Sequence, residues 1–275
     1  MHKCKNGRRD AHSSFKKHSI HAAVALAFGP ALSLQAGAQS YLNYDGSRSG
    51  DLGAAAATWV NAAEFRSDWG LGALNAQFAY ALGFSGAGVK TGAVDSGYLP
   101  THQELASRGI TGVVVSGTYA NDGRQLESGG DTWNAGDPFL RNPVPGSYIP
   151  GVNDNHGNHV SGTIAAAKNG LGMMGVAFAS QYYISNSNGT DGSIYGSNMD
   201  YNYFHAAYGN LAAAGVRVIN SSWGSPPGAD DYGRVAGLVQ ADARINGAGK
   251  KSWLEAAADV TRQSGVMQVF AAGNA

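Results

Sequence analysis

Residues 154–163 read D-N-H-G-N-H-V-S-G-T and run on into Ile164-Ala165-Ala166-Ala167. An imidazole opens the stretch and small residues follow, the composition of a helix that lies close against a neighbour. Gly157 leaves the backbone beside His156 uncrowded. Val160, Ile164 and Ala167 recur at helical spacing as an apolar stripe, and His159, Ser161 and Thr163 supply a polar one. His156 therefore stands near a helix N-terminus, where the positive end of the dipole favours the neutral ring. Neutral imidazole is the form a general base needs.

Plainer readings compete. A lone histidine beside a small-residue helix is more often structural than catalytic. His156 and His159, three residues apart, could also be two zinc ligands on one helical face. No glutamate follows His156 directly, and the single cysteine, Cys4, is remote in sequence. The stretch needs its flanks to decide.

Upstream, residues 89–94 read V-K-T-G-A-V, an apolar run fed by the turn Phe84-Ser85-Gly86-Ala87-Gly88 and ended by Asp95-Ser96-Gly97. Alone, Asp95 is an ordinary strand-ending turn residue. Gly86 and Gly88 do not make a dinucleotide fingerprint, because they precede the strand rather than follow it. Downstream, residues 216–220 (V-R-V-I-N) run into Ser221-Ser222-Trp223-Gly224, and residues 266–270 lead to Ala271-Ala272-Gly273-Asn274-Ala275. Residues 113–115 and 181–185 read as further strands. A helical pattern over 198–214 places Tyr201, Phe204, Ala207, Tyr208 and Leu211 on one face. A second, over 250–264, does the same for Trp253, Leu254, Ala257, Ala258 and Thr261. Gly215 and Gly265 end these helices. The alternation predicts an α/β fold, with a largely parallel central sheet and helices on both faces. Sites in such folds gather at the carboxyl ends of strands. Asp95, Ser222 and Asn274 each follow an apolar strand run there.

Four of these motifs together resemble the subtilisin-like serine proteases, the subtilases. H-G-N-H-V-S-G-T is similar to the family's H-G-T-H-V-A-G-T, with Asn158 in place of Thr and Ser161 in place of Ala. A-Y-A-L-G-F-S-G-A-G-V-K-T-G-A-V-D-S-G, ending at Gly97, resembles the aspartate motif. V-I-N-S-S-W-G, ending at Gly224, and A-A-G-N, ending at Asn274, resemble the two substrate-side motifs, and N-G-L-G-M-M-G-V-A at 169–177 resembles a family turn. The resemblance runs from about residue 64 to residue 275. It implies a three-layer subtilisin-like fold, incomplete at the C-terminus, and serine endopeptidase chemistry on polypeptides with no cofactor required. Asp95 would orient His156. His156 would take the proton of a serine and pass it to the leaving amine. Asn274 would stabilise the oxyanion, a role worth about 10²–10³ in rate in subtilisin. The backbone of Ser222, Trp223 and Gly224 would pair with substrate as an added strand, and Ala272 and Gly273 would wall the primary pocket. Trp223 reads either as the lip of that pocket or as simple core filling.

The family's nucleophile lies in G-T-S-x-A/P, and no such motif occurs in these 275 residues. The expectation is an N-terminal part of a secreted subtilase, itself inert. A protease-fold binding module without catalysis is the first rival. A metal-dependent hydrolase using His156 and His159 is the second.

Composition sets limits on the rest. With 43% hydrophobic and 14% charged residues, the chain is neither a charge-rich tail nor a nucleic-acid arm. Residues 1–38 carry six basic residues against one acidic, while the remainder has thirteen basic and eighteen acidic, a net of −5 that gives no hint of nucleic-acid binding. The basic start, the interrupted apolar segment 20–34 and Ala36-Gly37-Ala38 read as an export signal. Its length loosely resembles the leaders of Gram-negative autotransporters, which would place the protein at the cell surface or outside it, with an outer-membrane β-barrel translocator encoded downstream. Residues 39–63 read as a polar, Gly/Ala-rich surface arm and 64–275 as the peptidase domain. Within 64–83, Phe78, Ala79, Ala81 and Leu82 fit a short helix. Residues 119–153 read as a long irregular connection. Its Asp122, Asp131 and Asp137 offer structural calcium ligands or a plain solvated insertion.

Overall fold

The computed structural model describes residues 39–124, 132–141, 156–187, 200–223 and 253–271. The export-signal expectation for residues 1–38 lies outside them. The Gly/Ala-rich stretch 39–63 is not a surface arm. A hairpin of β1 (Tyr41–Leu42) and β2 (Arg48–Ser49) leads into α1 (Leu52–Asn61), whose N-cap Asp51 accepts from the Ala54 N–H at 2.7 Å. Three short helices follow: α2 (Ala63–Ser67), α3 (Trp69–Ala73) and α4 (Ala76–Ala81). Ala55, Ala56, Trp59, Phe65, Leu71, Tyr80 and Met174 make a hydrophobic core of their own, with Phe178 against it. Alanines let α1 come close, and one tryptophan fills the space between. In α4 Ala76, Tyr80 and Ala81 are buried, while Phe78 and Leu82 are exposed. Gly83, at φ +94°, ends that helix.

β3 (Lys90–Asp95) begins the main sheet, with β4 (Thr111–Val113) at one edge. The valine run 113–115 is not a single strand. Val114 lies exposed between β4 and β5 (Val115–Thr118), and β5 pairs antiparallel with β8 (Pro138–Arg141) outside the sheet. β6 (Gly123–Arg124) and β7 (Thr132–Trp133) extend that arm. The chain continues through α5 (His156–Ala165), β9 (Gln181–Asn186), α6 (Tyr201–Ala213), β10 (Val218–Ser221), α7 (Trp253–Ser264) and β11 (Met267–Phe270). Five parallel strands stand in the order β11-β10-β3-β9-β4.

The period of two along each strand separates the faces. Ala93, Tyr182 and Ile184 point to one side and meet Val160 and Ala165 of α5. Val94, Ile219 and Val216 point to the other and meet Phe204, Tyr208 and Leu211 of α6 and Trp253 and Val260 of α7. Helices therefore cover both faces, as a parallel sheet requires. In α7 the buried stripe is Trp253, Ala256, Ala257 and Val260, rotated from the one expected, with Ala258 facing out.

The long connection after Tyr119 is more regular than its composition suggests. Tyr119 stacks on Trp133 at 4.5 Å, and Phe139 and Tyr203 complete the cluster. Asp200, fully buried, accepts from the Ala120 and Asn121 N–H groups and from Tyr203 N–H, tying the arm to the start of α6. Asp122 and Asp137 accept from the Ala135 and Asn134 N–H groups at 2.8 and 2.7 Å. Asp131 lies outside the described residues. Among the described residues no three His, Cys, Asp or Glu side chains gather as a metal site.

One buried carboxylate joins the first helices to the sheet domain. Glu64 accepts from Tyr44 OH and from the Asn169 and Gly170 N–H groups, the latter two at 3.1 and 2.7 Å. Burial, then the Glu64 contact, pushes the Tyr44 phenol up to about 12. The folded state thus holds its proton where the unfolded chain has lost it, so this contribution is complete below pH 10 and disappears as pH rises toward 12. Denaturant titrations across that range should show the native chain losing stability relative to Tyr44→Phe.

Candidate active site

Asp95 ends β3 in the middle of the sheet and has no solvent exposure. A buried carboxylate must be met by donors. Its Oδ1 accepts from Ser96 N–H at 2.8 Å and from the His156 ring at 2.7 Å. Oδ2 has no hydrogen-bond partner among the described residues. The strand end is also held by its backbone, since Ser187 N–H donates to the Asp95 carbonyl at 2.9 Å.

The contact fixes a tautomer. A carboxylate can only accept, so His156 Nδ1 carries the hydrogen and Nε2 the basic lone pair. The ring is 35% exposed, while the aspartate beneath it is sealed. This is the arrangement of an oriented base.

Close backbone approach makes it reachable. A Cβ on Gly157 would lie 1.7 Å from the Gly97 carbonyl oxygen. Gly97 itself has φ +120°, which side chains strongly disfavour. Gly157 N–H donates to Ser96 Oγ at 3.3 Å, and Asn158 Oδ1 accepts from Leu99 N–H at 2.6 Å. At the other end of α5, Arg108 Nε donates to the Ala165 carbonyl at 2.6 Å, a cation at the negative end of the helix dipole.

The expected polar stripe on α5 does not form. Ser161 is fully buried and shares a hydrogen bond with Tyr182 OH at 3.2 Å. Burial raises the Tyr182 phenol far above its ordinary value, which keeps it neutral inside the sheet domain. His159 is exposed, while His156 is bonded through Nδ1 to Asp95.

Ser222 follows β10, the strand beside β3, and its Oγ accepts from Asn220 Nδ2 at 2.8 Å. Trp223 takes the second of its two readings. Its ring is buried between Phe204 and Trp253, and its Nε1 donates to the Val94 carbonyl at 2.6 Å. The indole therefore anchors this segment to the strand that ends in Asp95. Asp95, His156 and Ser222 lie at the carboxyl end of the sheet, while Gly224, Ala272, Gly273 and Asn274 lie outside the described residues. Sequence reasoning passed over Ser96 and Leu99. Ser96 carried a signal, since it stands inside D-S-G; the Leu99 amide carried none.

Residues 86–275 match the peptidase S8 subtilase family. The chain belongs to the subtilase family. Its serine-type peptidase relatives include an extracellular serine protease of Serratia marcescens, 32% identical over 60% of this chain and 12% of that protein. Subtilisin BL of Lederbergia lenta is 30% identical over 58% of this chain and 45% of its own. Fervidolysin of Fervidobacterium pennivorans, a keratinolytic enzyme, matches with a TM-score of 0.44 at 24% identity, over 75% of this chain and 24% of its own. This subtilase chain thus spans about an eighth of the Serratia protein and under half of subtilisin BL.

The glycine contact offers a direct test. Gly157→Ala should push the first turn of α5 off Gly97, destabilise the fold by about 1–3 kcal/mol as overpacking does, and break the His156–Asp95 bond. Denaturant unfolding measures the first effect. The chemical shift of the His156 ring proton measures the second.

Proposed function

We propose that this subtilase chain is the Asp–His part of a secreted serine endopeptidase whose nucleophile lies in sequence other than these 275 residues. The observation that carries the reading is the 2.7 Å bond between His156 Nδ1 and a carboxylate with no solvent exposure. Asp95 holds the ring. Nε2 of His156 takes the proton from a serine hydroxyl as its oxygen attacks the peptide carbonyl, then gives that proton to the departing amine. Asn274 donates to the oxyanion of the tetrahedral intermediate. The backbone of residues 222–224 pairs with the substrate chain, and Ala272 and Gly273 border its primary side chain. The chemistry needs no cofactor.

Export through residues 1–38, a surface or extracellular location in a Gram-negative bacterium and a downstream β-barrel translocator belong to the same proposal. The similarity to an extracellular serine protease of Serratia marcescens supports the location outside the cell. The 275-residue chain alone should neither hydrolyse peptides nor react with a fluorophosphonate, because triad members act as a unit. The complete gene product should do both. In it, His156→Ala should lower kcat by about 10⁶, the size of that loss in subtilisin. Labelling and turnover by the 275-residue chain would overturn the assignment of the nucleophile.

A further inference from the structure

The 156–158 turn meets the 95–99 loop at three successive places. His156 Nδ1 binds Asp95 Oδ1 at 2.7 Å. Gly157 rests on the Gly97 carbonyl and donates to Ser96 Oγ at 3.3 Å. Asn158 Oδ1 accepts from Leu99 N–H at 2.6 Å. The contacts run in the same chain order on both sides. The middle one leaves no room for a side chain at 157. The outer two are hydrogen bonds on either side of it.

We infer that Asn158 is a positioning residue, whose amide oxygen holds the loop after β3 and so fixes the His156–Asp95 bond from the far side of the Gly157–Gly97 contact. The inference rests on the dyad reading above and extends it to a side chain that touches no reacting atom. Three facts support it. Asp95 Oδ1 already accepts from Ser96 N–H at the base of this loop, so motion of residues 96–99 is passed to the carboxylate. Tyr98, next to Gly97, is buried in the cluster that holds Val160 of α5, so the loop packs with the helix that carries Asn158. The Asn158 bond to Leu99 N–H, at 2.6 Å, is shorter than the Ser96 tie at 3.3 Å. An alanine at 158 removes that acceptor and orphans the Leu99 N–H.

The test is proton NMR on the 275-residue chain, above and below the histidine titration, with thermal unfolding recorded alongside. The native chain should show a strongly downfield His156 Nδ1 proton and slow exchange at the Leu99 amide. Asn158→Leu keeps the side-chain size and removes the acceptor. It should lose the downfield proton and speed Leu99 exchange severalfold. Asn158→Asp keeps an acceptor oxygen and should retain both signals. A purely structural role would shift the unfolding temperature of the leucine variant and leave its His156 resonance in place, which would overturn the inference. A fast-exchanging Leu99 amide in the native chain would overturn it without any variant. Absence of the downfield proton from the native chain would remove the dyad reading first, and the positioning role with it.

Discussion

The approach of Gly157 to the Gly97 carbonyl sets how near α5 can come to the end of β3. With any side chain at 157 the helix start would stand off, and the imidazole would fall short of a carboxylate that water does not reach. That carboxylate must then find its donors inside the protein, and it finds them in the next peptide N–H and in the histidine. The remaining architecture serves this one meeting. β9 and β10 fix β3 on both sides, and Trp223 reaches from the segment after β10 to the Val94 carbonyl. Arg108 draws on the far end of the same helix. The imidazole is held against the carboxylate because the strand, the turn and the helix are each held independently.

Much of this was legible in the chain. Asp95 stands where an apolar run stops, and His156 where a small-residue helix begins. Both positions follow from local pattern, so sequence alone could propose them. The parallel sheet was legible for the same reason, since apolar runs alternate with helical periods from residue 89 onward. α6 shows how well periodicity works when a face is fully buried: four of the five residues assigned to it, Phe204, Ala207, Tyr208 and Leu211, are inside.

Other features were hidden because tertiary contacts, not local pattern, created them. The first helices looked like a surface arm because alanine and glycine dominate there, yet Trp59 packs with Phe65, Leu71, Tyr80 and Met174 into a core. The face of α7 was turned from the expected one. On short helices with small residues, several faces are comparably apolar, and the neighbour decides. Ser161 looked exposed because it is polar, but Tyr182 supplies it a buried partner. The loop after Tyr119 looked irregular because its aromatic residues lie far apart in sequence. Their stacking appears only once the hairpin closes. Leu99 matters through its backbone N–H, which no side-chain pattern can announce.

The family match and the folded unit have different starting points, and Glu64 marks the difference. The family match begins at residue 86, yet the carboxylate at 64 binds the peptide groups of Asn169 and Gly170, and Met174 and Phe178 close the aromatic cluster built by Trp59 and Tyr80. An expression boundary drawn where the family match begins would therefore leave those peptide groups without their acceptor and those two side chains bare to water. The segment ahead of the recognisable domain is one wall of its interior, and trimming by similarity would remove that wall.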